Sequence, residues 1–283
     1  MNAERRGALF VFLAAVLYSI GGLCMKLIPW SGVALNGGRC AIAVVVYVIY
    51  LLATHHRPKI NRWVLLGAAA VCSTNVLFAM ANKMTTAANA IVLQYTAPIF
   101  VILLSVLFLR KRAGGLDLAA CVVVFLGVVC FFVESLQGGN LTGDLIALIS
   151  GLTYAVVFLL NDLPDGDPIS SVFWGAVFSV LIGLPAMLNQ APLKRGALLS
   201  MIILGVFQTG FAFLCLTIGL RTTPPVTASL VSGIEPILNP VLVAVFYHEG
   251  IGMLSLIGAA IVILGVVGYN VLKGKQEEKS FVG

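Results

Sequence analysis

Long runs of apolar residues follow one another along almost the whole chain, and they leave little room for any architecture outside a membrane. Ten segments each have about the 20 apolar residues that an α-helix needs to cross the hydrocarbon core. Lipid also requires each span to satisfy its own backbone hydrogen bonds, which favours helices over strands. The sequence therefore predicts an all-α integral membrane protein with ten transmembrane helices. Spans 1–10 are predicted at 7–27, 33–52, 63–81, 86–109, 116–133, 144–160, 170–188, 197–219, 225–247 and 251–272.

Composition argues against a soluble domain. Of the 283 residues, 60% are hydrophobic and only 10% are charged, whereas soluble domains carry about a quarter charged residues. Lysine and arginine lie in short loops, so the basic balance sets topology and does not predict a nucleic-acid partner. The six cysteines fall inside apolar runs and show no metal-ligand spacing. We expect no cofactor and no metal, and we expect membrane lipid and a small-molecule substrate as partners.

The distribution of lysine and arginine predicts that both termini are cytoplasmic. With this orientation, twelve of the seventeen basic residues lie in inner loops and tails, four lie outside, and Arg39 lies within span 2. The first apolar segment lacks the small-residue cleavage site of a signal peptide, so we expect it to be retained as a span. The expected location is a bacterial cytoplasmic (inner) membrane, with multiple passes.

A shift of 138 residues aligns the second half of the chain with the first without gaps. It places "FLGVVCFF" (125–132) on "ILGVVGYN" (263–270) and Pro98 on Pro236. Each copy holds five spans, an odd number, so the second copy must enter the membrane with the opposite orientation. Inverted repeats are typical of secondary transporters, whose site lies near the midplane between the repeats. We predict two five-helix units, residues 1–138 and 139–283.

This pattern resembles the EamA-like family of the drug/metabolite transporter superfamily. The resemblance rests on the two inverted units, on Pro98 followed by Arg110-Lys111-Arg112 after span 4, and on Glu235-Pro236 and His248-Glu249 in and after span 9. The family often ends spans 4 and 9 with Leu-Gly-Glu; Glu249 fits this pattern, whereas the basic run replaces it after span 4. The resemblance implies a solute carrier, often an exporter, driven by a gradient rather than by ATP.

Glu235 is a carboxylate in the most apolar part of the chain. It lies about ten residues into span 9, or roughly 15 Å from that end, and therefore near mid-bilayer. An ionised group there costs roughly 2.5–3.5 kcal/mol, so it must face the bundle interior. Ser232, Asn239 and Thr227 share its face of the helix. Pro236 removes the helical donor to the carbonyl of Ser232, which can then bind another donor or an ion.

Two interpretations of Glu235 remain open. It is either a structural carboxyl, paired with Arg39 or hydrogen-bonded in its protonated form, or a group that binds a proton or the substrate. Arg39 can pair with Glu235, hold a carboxylate of the substrate, or extend to the outer headgroups.

Other polar and aromatic residues near the predicted midplane form a candidate cavity lining. Taken singly, each aromatic is better explained by packing or by an interfacial position, and Trp174 fits an interfacial position as well as a cavity wall. As a set, some of them must line the cavity. Gln94 corresponds to Ser232 under the shift, so we expect both to point inward. The candidates are Tyr18, Thr74, Asn75, Gln94, Tyr95, Tyr154, Trp174 and Gln208.

These features favour a secondary transporter over an enzyme or a channel. The sequence has no His-Glu-x-x-His, Gly-x-Ser-x-Gly or Walker motif, which makes a polytopic membrane enzyme the less favoured alternative. We expect alternating access, with spans 1, 2, 6 and 7 moving around Glu235, and export of amino acids or related amphiphilic solutes coupled to protons. An exporter of organic cations or drugs, held by Glu235 and aromatic faces, is the main alternative. Two fused repeats are compatible with a monomer.

Overall fold

The computed structural model is helical throughout its regular structure, and no strand occurs among the residues it describes. It describes residues 3–109, 114–136, 140–162, 165–223 and 252–282, together with 228, 231, 232, 235, 238, 239, 242, 245 and 246. The α-helices are α1 (Ala3–Ser19), α2 (Gly21–Leu27), α3 (Gly32–Ala53), α4 (Arg62–Met84), α5 (Ala87–Gln94), α6 (Ala97–Leu109), α7 (Gly115–Leu136), α8 (Leu141–Phe158), α9 (Pro168–Leu188), α10 (Arg195–Ile203), α11 (Ala212–Gly219) and α12 (Met253–Val282). A 3₁₀ turn (Leu159–Asp162) follows α8, and a π-helical segment (Leu204–Phe211) joins α10 to α11.

Seven helical stretches of the described chain are long and apolar enough to cross a membrane. They coincide with predicted spans 1–4 and 6–8, and the shorter apolar runs Leu118–Cys130 and Leu256–Tyr269 lie in predicted spans 5 and 10. The seven are Arg5–Leu27, Gly32–Ala53, Arg62–Met84, Ala87–Leu104, Leu141–Phe158, Pro168–Leu188 and Arg195–Gly219. Much of predicted span 9 lies outside the described residues, as do Thr227, Pro236, the run 110–112 and His248-Glu249.

Within the described residues, three predicted spans depart from the α-helix near their middle. Span 1 is interrupted at Ile20, between α1 and α2, and span 4 is interrupted at Tyr95 and Thr96, between α5 and α6. Proline at position 98 explains the second interruption, because it has no N–H for the carbonyl of Gln94. Span 8 contains the π-helical segment. These irregular points lie in the middle of their spans, where regular hydropathy predicts unbroken helices.

Close helix packing joins the two halves of the chain. α3 packs along α9, and α4 packs against both α8 and α9. Gly37 and Gly183 face each other so closely that a Cβ on Gly183 would lie 2.5 Å from the Cα of Gly37. Small residues allow such approach, and close packing is a main source of helix association in lipid.

Polar contacts between the two halves also lie at each end of the bundle. At the end that holds the α3–α4 connection, His56 Nε2 lies 2.8 Å from Asp167 Oδ2. At the other end, Thr85 Oγ1 donates to the buried carboxylate of Asp144 at 2.6 Å. The halves are therefore linked on both sides of the polar centre described below.

Gly183→Ala is expected to destabilise the protein by about 1–3 kcal/mol, because the added methyl group meets backbone that cannot turn aside as a side chain can. The thermal unfolding midpoint of detergent-purified protein measures the effect. Gly196→Ala is the matched control, since nothing lies within 4 Å of a Cβ at that position. A wild-type midpoint for Gly183→Ala would contradict the tight contact between α3 and α9.

Candidate functional site

A narrow cavity lies between the interrupted spans, and its volume is about 20 Å³, which is room for about one water molecule. This volume is far below the roughly 300–1,000 Å³ typical of small-molecule sites, so the walls must move apart before a solute can enter. Both halves of the sequence contribute to its walls, which combine amides, hydroxyls, aromatic rings and one carboxyl group. The lining residues are Tyr18, Thr74, Asn75, Phe78, Gln94, Tyr154, Gln208, Phe213 and Glu235.

The structure brings most of the sequence-predicted residues together at this cavity. Tyr18, Thr74, Asn75, Gln94, Tyr154, Gln208 and Glu235 line it. Arg39, Tyr95, Ser232 and Asn239 are also buried, and Arg39 and Tyr95 bind lining residues. Trp174 lies apart from the lining: its Nε1 donates to the backbone oxygen of Lys59 at 3.2 Å, near one end of the bundle.

Tyr95 holds the carboxyl group of Glu235. The hydroxyl oxygen of Tyr95 lies 3.0 Å from Oε2 of Glu235 and 2.6 Å from the backbone oxygen of Ser232. Pro236 has no N–H, so the carbonyl of Ser232 lacks its helical donor. Tyr95 supplies that donor, in agreement with the sequence expectation that this carbonyl binds an outside group.

Arg39 does not pair with Glu235, so that part of the structural interpretation is wrong. Its Nε and Nη2 donate to Oδ1 of Asn36 at 3.1 and 3.0 Å. Its Nη1 donates to Oε1 of Gln208 at 2.8 Å, and Nη2 donates to Oδ1 of Asn75 at 3.2 Å. In the described part of the chain, no carboxylate lies within ion-pair distance of the guanidinium. The reason is local: Asn36 lies one helical turn before Arg39 on the same face, and the neighbouring helices supply two more amide oxygens.

The contacts to Arg39 fix the orientation of two cavity amides. Oε1 of Gln208 accepts from Arg39 and also from Thr209 Oγ1, at 3.0 Å. Asn75 offers Arg39 both Oδ1 and its backbone oxygen, the latter at 3.1 Å. Because the oxygens are engaged, the amide N–H groups are the donors that remain for other partners, and the adjacent positive charge polarises them. This wall of the cavity favours an anionic group.

The π-helical segment explains how Gln208 can reach Arg39 while lining the cavity. A π-helical turn is wider than an α-helical turn, and such segments are frequent at functional sites. Tyr47 Oη donates to the backbone oxygen of Thr209 at 2.6 Å, which satisfies a carbonyl within the widened turn. Gly205 permits the approach to α3, because a Cβ there would lie 2.8 Å from the backbone oxygen of Arg39.

Sequence reasoning missed several contributors to the site. Asn36 could have been found from its spacing of three residues before Arg39, and Phe78 from its position one turn after Thr74 and Asn75. Phe213 carries no signal that distinguishes it from the other phenylalanines in apolar runs.

A family model described as the EamA-like transporter family matches the chain twice, over residues 5–133 and 141–271. The chain belongs to the EamA-like transporter family. It is similar to a protein named "Uncharacterized transporter" from Clostridium kluyveri, with 26% identity over 97% of this chain and 96% of the relative. A protein of the same name from Archaeoglobus fulgidus is 25% identical over 93% of this chain and 96% of the relative.

One solved crystal structure shares the fold of this EamA-like transporter. Its TM-score is 0.70 at 19% sequence identity, and the match covers 95% of this chain and 98% of the other. Together with the apolar helices, the family match makes the protein a multi-pass membrane transporter.

Gln208→Leu is expected to destabilise the transporter by about 1.5–3 kcal/mol, because it removes the acceptor of a buried, charged donor. Gln208→Glu keeps an acceptor oxygen and adds a compensating charge, so it is expected to retain stability. Thermal unfolding of the two purified variants beside wild type provides the measurement. Equal midpoints for Gln208→Leu and wild type would show that the bond to Arg39 contributes nothing to stability.

Proposed function

We propose that this protein is a secondary transporter of small amphiphilic zwitterions, such as amino acids or their relatives. The observation that carries the proposal is that Arg39 and Glu235 adjoin one cavity without pairing with each other. A carboxylate of the solute binds the amide donors of Asn75 and Gln208 in front of Arg39. Its ammonium group binds Glu235. A zwitterion thereby neutralises both ends of the site at once.

The aromatic residues of the cavity suit the apolar body of such a solute. Phe78 and Phe213 line the space beside Tyr18 and Tyr154, and Tyr18 packs edge-on against Phe213 with ring centroids 5.4 Å apart. Aromatic faces bury large apolar area at small conformational cost. Solutes with an apolar side chain should therefore bind more tightly than glycine-like ones.

The dimensions of the cavity support alternating access. Its open space is so narrow that only water-sized groups fit without movement of the walls. The interruptions at Ile20 and Tyr95 offer points at which spans 1 and 4 can bend. In this proposal the chain has ten spans in two inverted units, residues 1–138 and 139–283, with both termini cytoplasmic. Spans 1, 2, 6 and 7 move around the site to export solute. One chain supplies the whole cavity, so a monomer suffices.

The aromatic lining also favours a second candidate, the export of organic cations. Such a solute would use Glu235 and the rings of Tyr18 and Tyr154 through cation–π contact, and it would leave the amides in front of Arg39 without a partner. The two candidates differ in their need for a carboxylate. Amidation of the carboxylate should weaken binding of a zwitterion by about tenfold or more, since a charge-assisted hydrogen bond is lost. Equal or tighter binding of the amide would favour the cation exporter.

Proton coupling through Glu235 is tested by adding a panel of amino acids to purified transporter in weak buffer. We expect wild type to release protons as the solute ammonium displaces the proton of Glu235, and Glu235→Gln to release none, because a glutamine amide holds no exchangeable acidic proton. A pH-sensitive dye and a parallel binding assay record both events.

Asp144→Asn is the matched control for this experiment. Asp144 is also a buried carboxyl group, but it contacts Thr85 and Asn89 outside the cavity lining. The Asp144→Asn variant should therefore release protons on addition of amino acids, as wild type does. Unchanged release by a folded Glu235→Gln would remove Glu235 from the coupling mechanism and leave it a structural role.

A further inference from the structure

Tyr95 occupies a position that the transport proposal leaves without a role. It lies at the interruption between α5 and α6, where the α-helix of span 4 is broken. Its hydroxyl group bridges two groups on span 9, the backbone oxygen of Ser232 and the carboxyl group of Glu235. One side chain therefore links the interruption in span 4 to the carboxyl group of the cavity.

A count of hydrogens shows which groups donate in this bridge. A tyrosine hydroxyl has one hydrogen, and a backbone carbonyl has none. The hydroxyl of Tyr95 lies within donor distance of both the backbone oxygen of Ser232, at 2.6 Å, and Oε2 of Glu235, at 3.0 Å, but its one hydrogen serves one of them at a time. Both contacts are full hydrogen bonds together only when the carboxyl group of Glu235 is protonated and donates to Tyr95. In that state the chain of hydrogen bonds runs from Glu235 to Tyr95 to Ser232.

We propose that Tyr95 is a positioning residue that couples the protonation of Glu235 to the junction between α5 and α6. The proposal rests on the proposed function in taking Glu235 as the coupling group. When Glu235 gives its proton to water, the hydroxyl hydrogen of Tyr95 turns to the carboxylate, which is the stronger acceptor. The carbonyl of Ser232 then loses the donor that Tyr95 supplied.

The loss of this hydrogen bond supplies the driving force for movement. Pro236 cannot donate to it, and a buried carbonyl without a partner is costly. Deprotonation therefore favours a conformation in which water or the ammonium group of a solute reaches the carbonyl of Ser232. Proton and ammonium compete for the carboxyl group of Glu235, so one is released as the other binds.

The other titratable groups around Glu235 do not provide this link. Tyr18 on α1 and Tyr154 on α8 line the same cavity, but the hydroxyl of Tyr18 has no hydrogen-bond partner within the described chain. Arg39 on α3 reaches the cavity only through Asn75 and Gln208. Tyr18 and Tyr154 therefore provide matched controls with the same chemistry and a different position.

Infrared difference spectroscopy on purified transporter without solute tests the hydrogen-bond chain directly. Glu235→Gln is expected to remove one C=O band of a protonated carboxyl group from the wild-type spectrum. Tyr95→Phe is expected to keep this band but shift it to higher frequency, because the carboxyl group loses its acceptor. Tyr18→Phe and Tyr154→Phe should leave it in place. The proposal is overturned if Glu235→Gln removes no such band, or if Tyr95→Phe leaves the band unshifted.

Transport in proteoliposomes tests the coupling itself, with a mixture of labelled standard amino acids as the probe. Tyr95→Phe is expected to lower accumulation driven by a pH gradient by about tenfold, a typical size for coupling between linked sites. Exchange of solute without a gradient should persist near the wild-type rate. Equal loss of both activities would assign Tyr95 to binding or folding and overturn its coupling role. If wild type transports no amino acid, the transport proposal fails, and the infrared bands still decide the role of Tyr95.

Discussion

The arrangement of the site depends on the buried guanidinium group of Arg39. A charge that is only 1% exposed carries a desolvation cost of several kcal/mol unless its donors are satisfied. The acceptors that satisfy it are oxygens of Asn36, Asn75 and Gln208, and they tie α3 to α4 and to the π-helical segment. Because these partners are neutral, the positive charge is solvated but not cancelled, and it remains beside the cavity.

The separation of Arg39 from Glu235 has a consequence for binding. An ion pair between them would have to be broken before either could hold a solute, and breaking a buried pair costs about 3–5 kcal/mol. Amide oxygens surround the guanidinium of Arg39, and the hydroxyl of Tyr95 contacts the carboxyl group of Glu235. Each group therefore keeps its own partners while the site is empty. In the proposed function, a bound solute with opposite charges at its two ends would complete the electrostatic balance that the protein leaves open.

The sequence predicts the helical spans and most of the cavity lining, because hydropathy and helical spacing are local properties. It places Glu235, Ser232 and Asn239 on one face, and all three are buried. It does not predict that Arg39 binds Gln208, a residue 169 positions away, because that choice depends on how α3 meets a π-helical turn. The interruption at Ile20 and the π-helical turn are missed for the same reason. An apolar run indicates that a segment lies in the membrane, but it does not indicate where the backbone departs from α-helical geometry.

The same residues also show where the two halves of the chain diverge. The 138-residue shift places Pro98 on Pro236, so each half has a carbonyl without its helical donor, at Gln94 and at Ser232. In the first half, the carbonyl oxygen of Gln94 lies close to Gly151, since a Cβ added to Gly151 would be 2.9 Å from that oxygen. In the second half, the hydroxyl group of Tyr95 donates to the carbonyl oxygen of Ser232. The shift also places Ala97 on Glu235. The proline and the carbonyl without its helical donor are thus duplicated, whereas the carboxyl group is not, so under the proposed function only the second half would carry the proton.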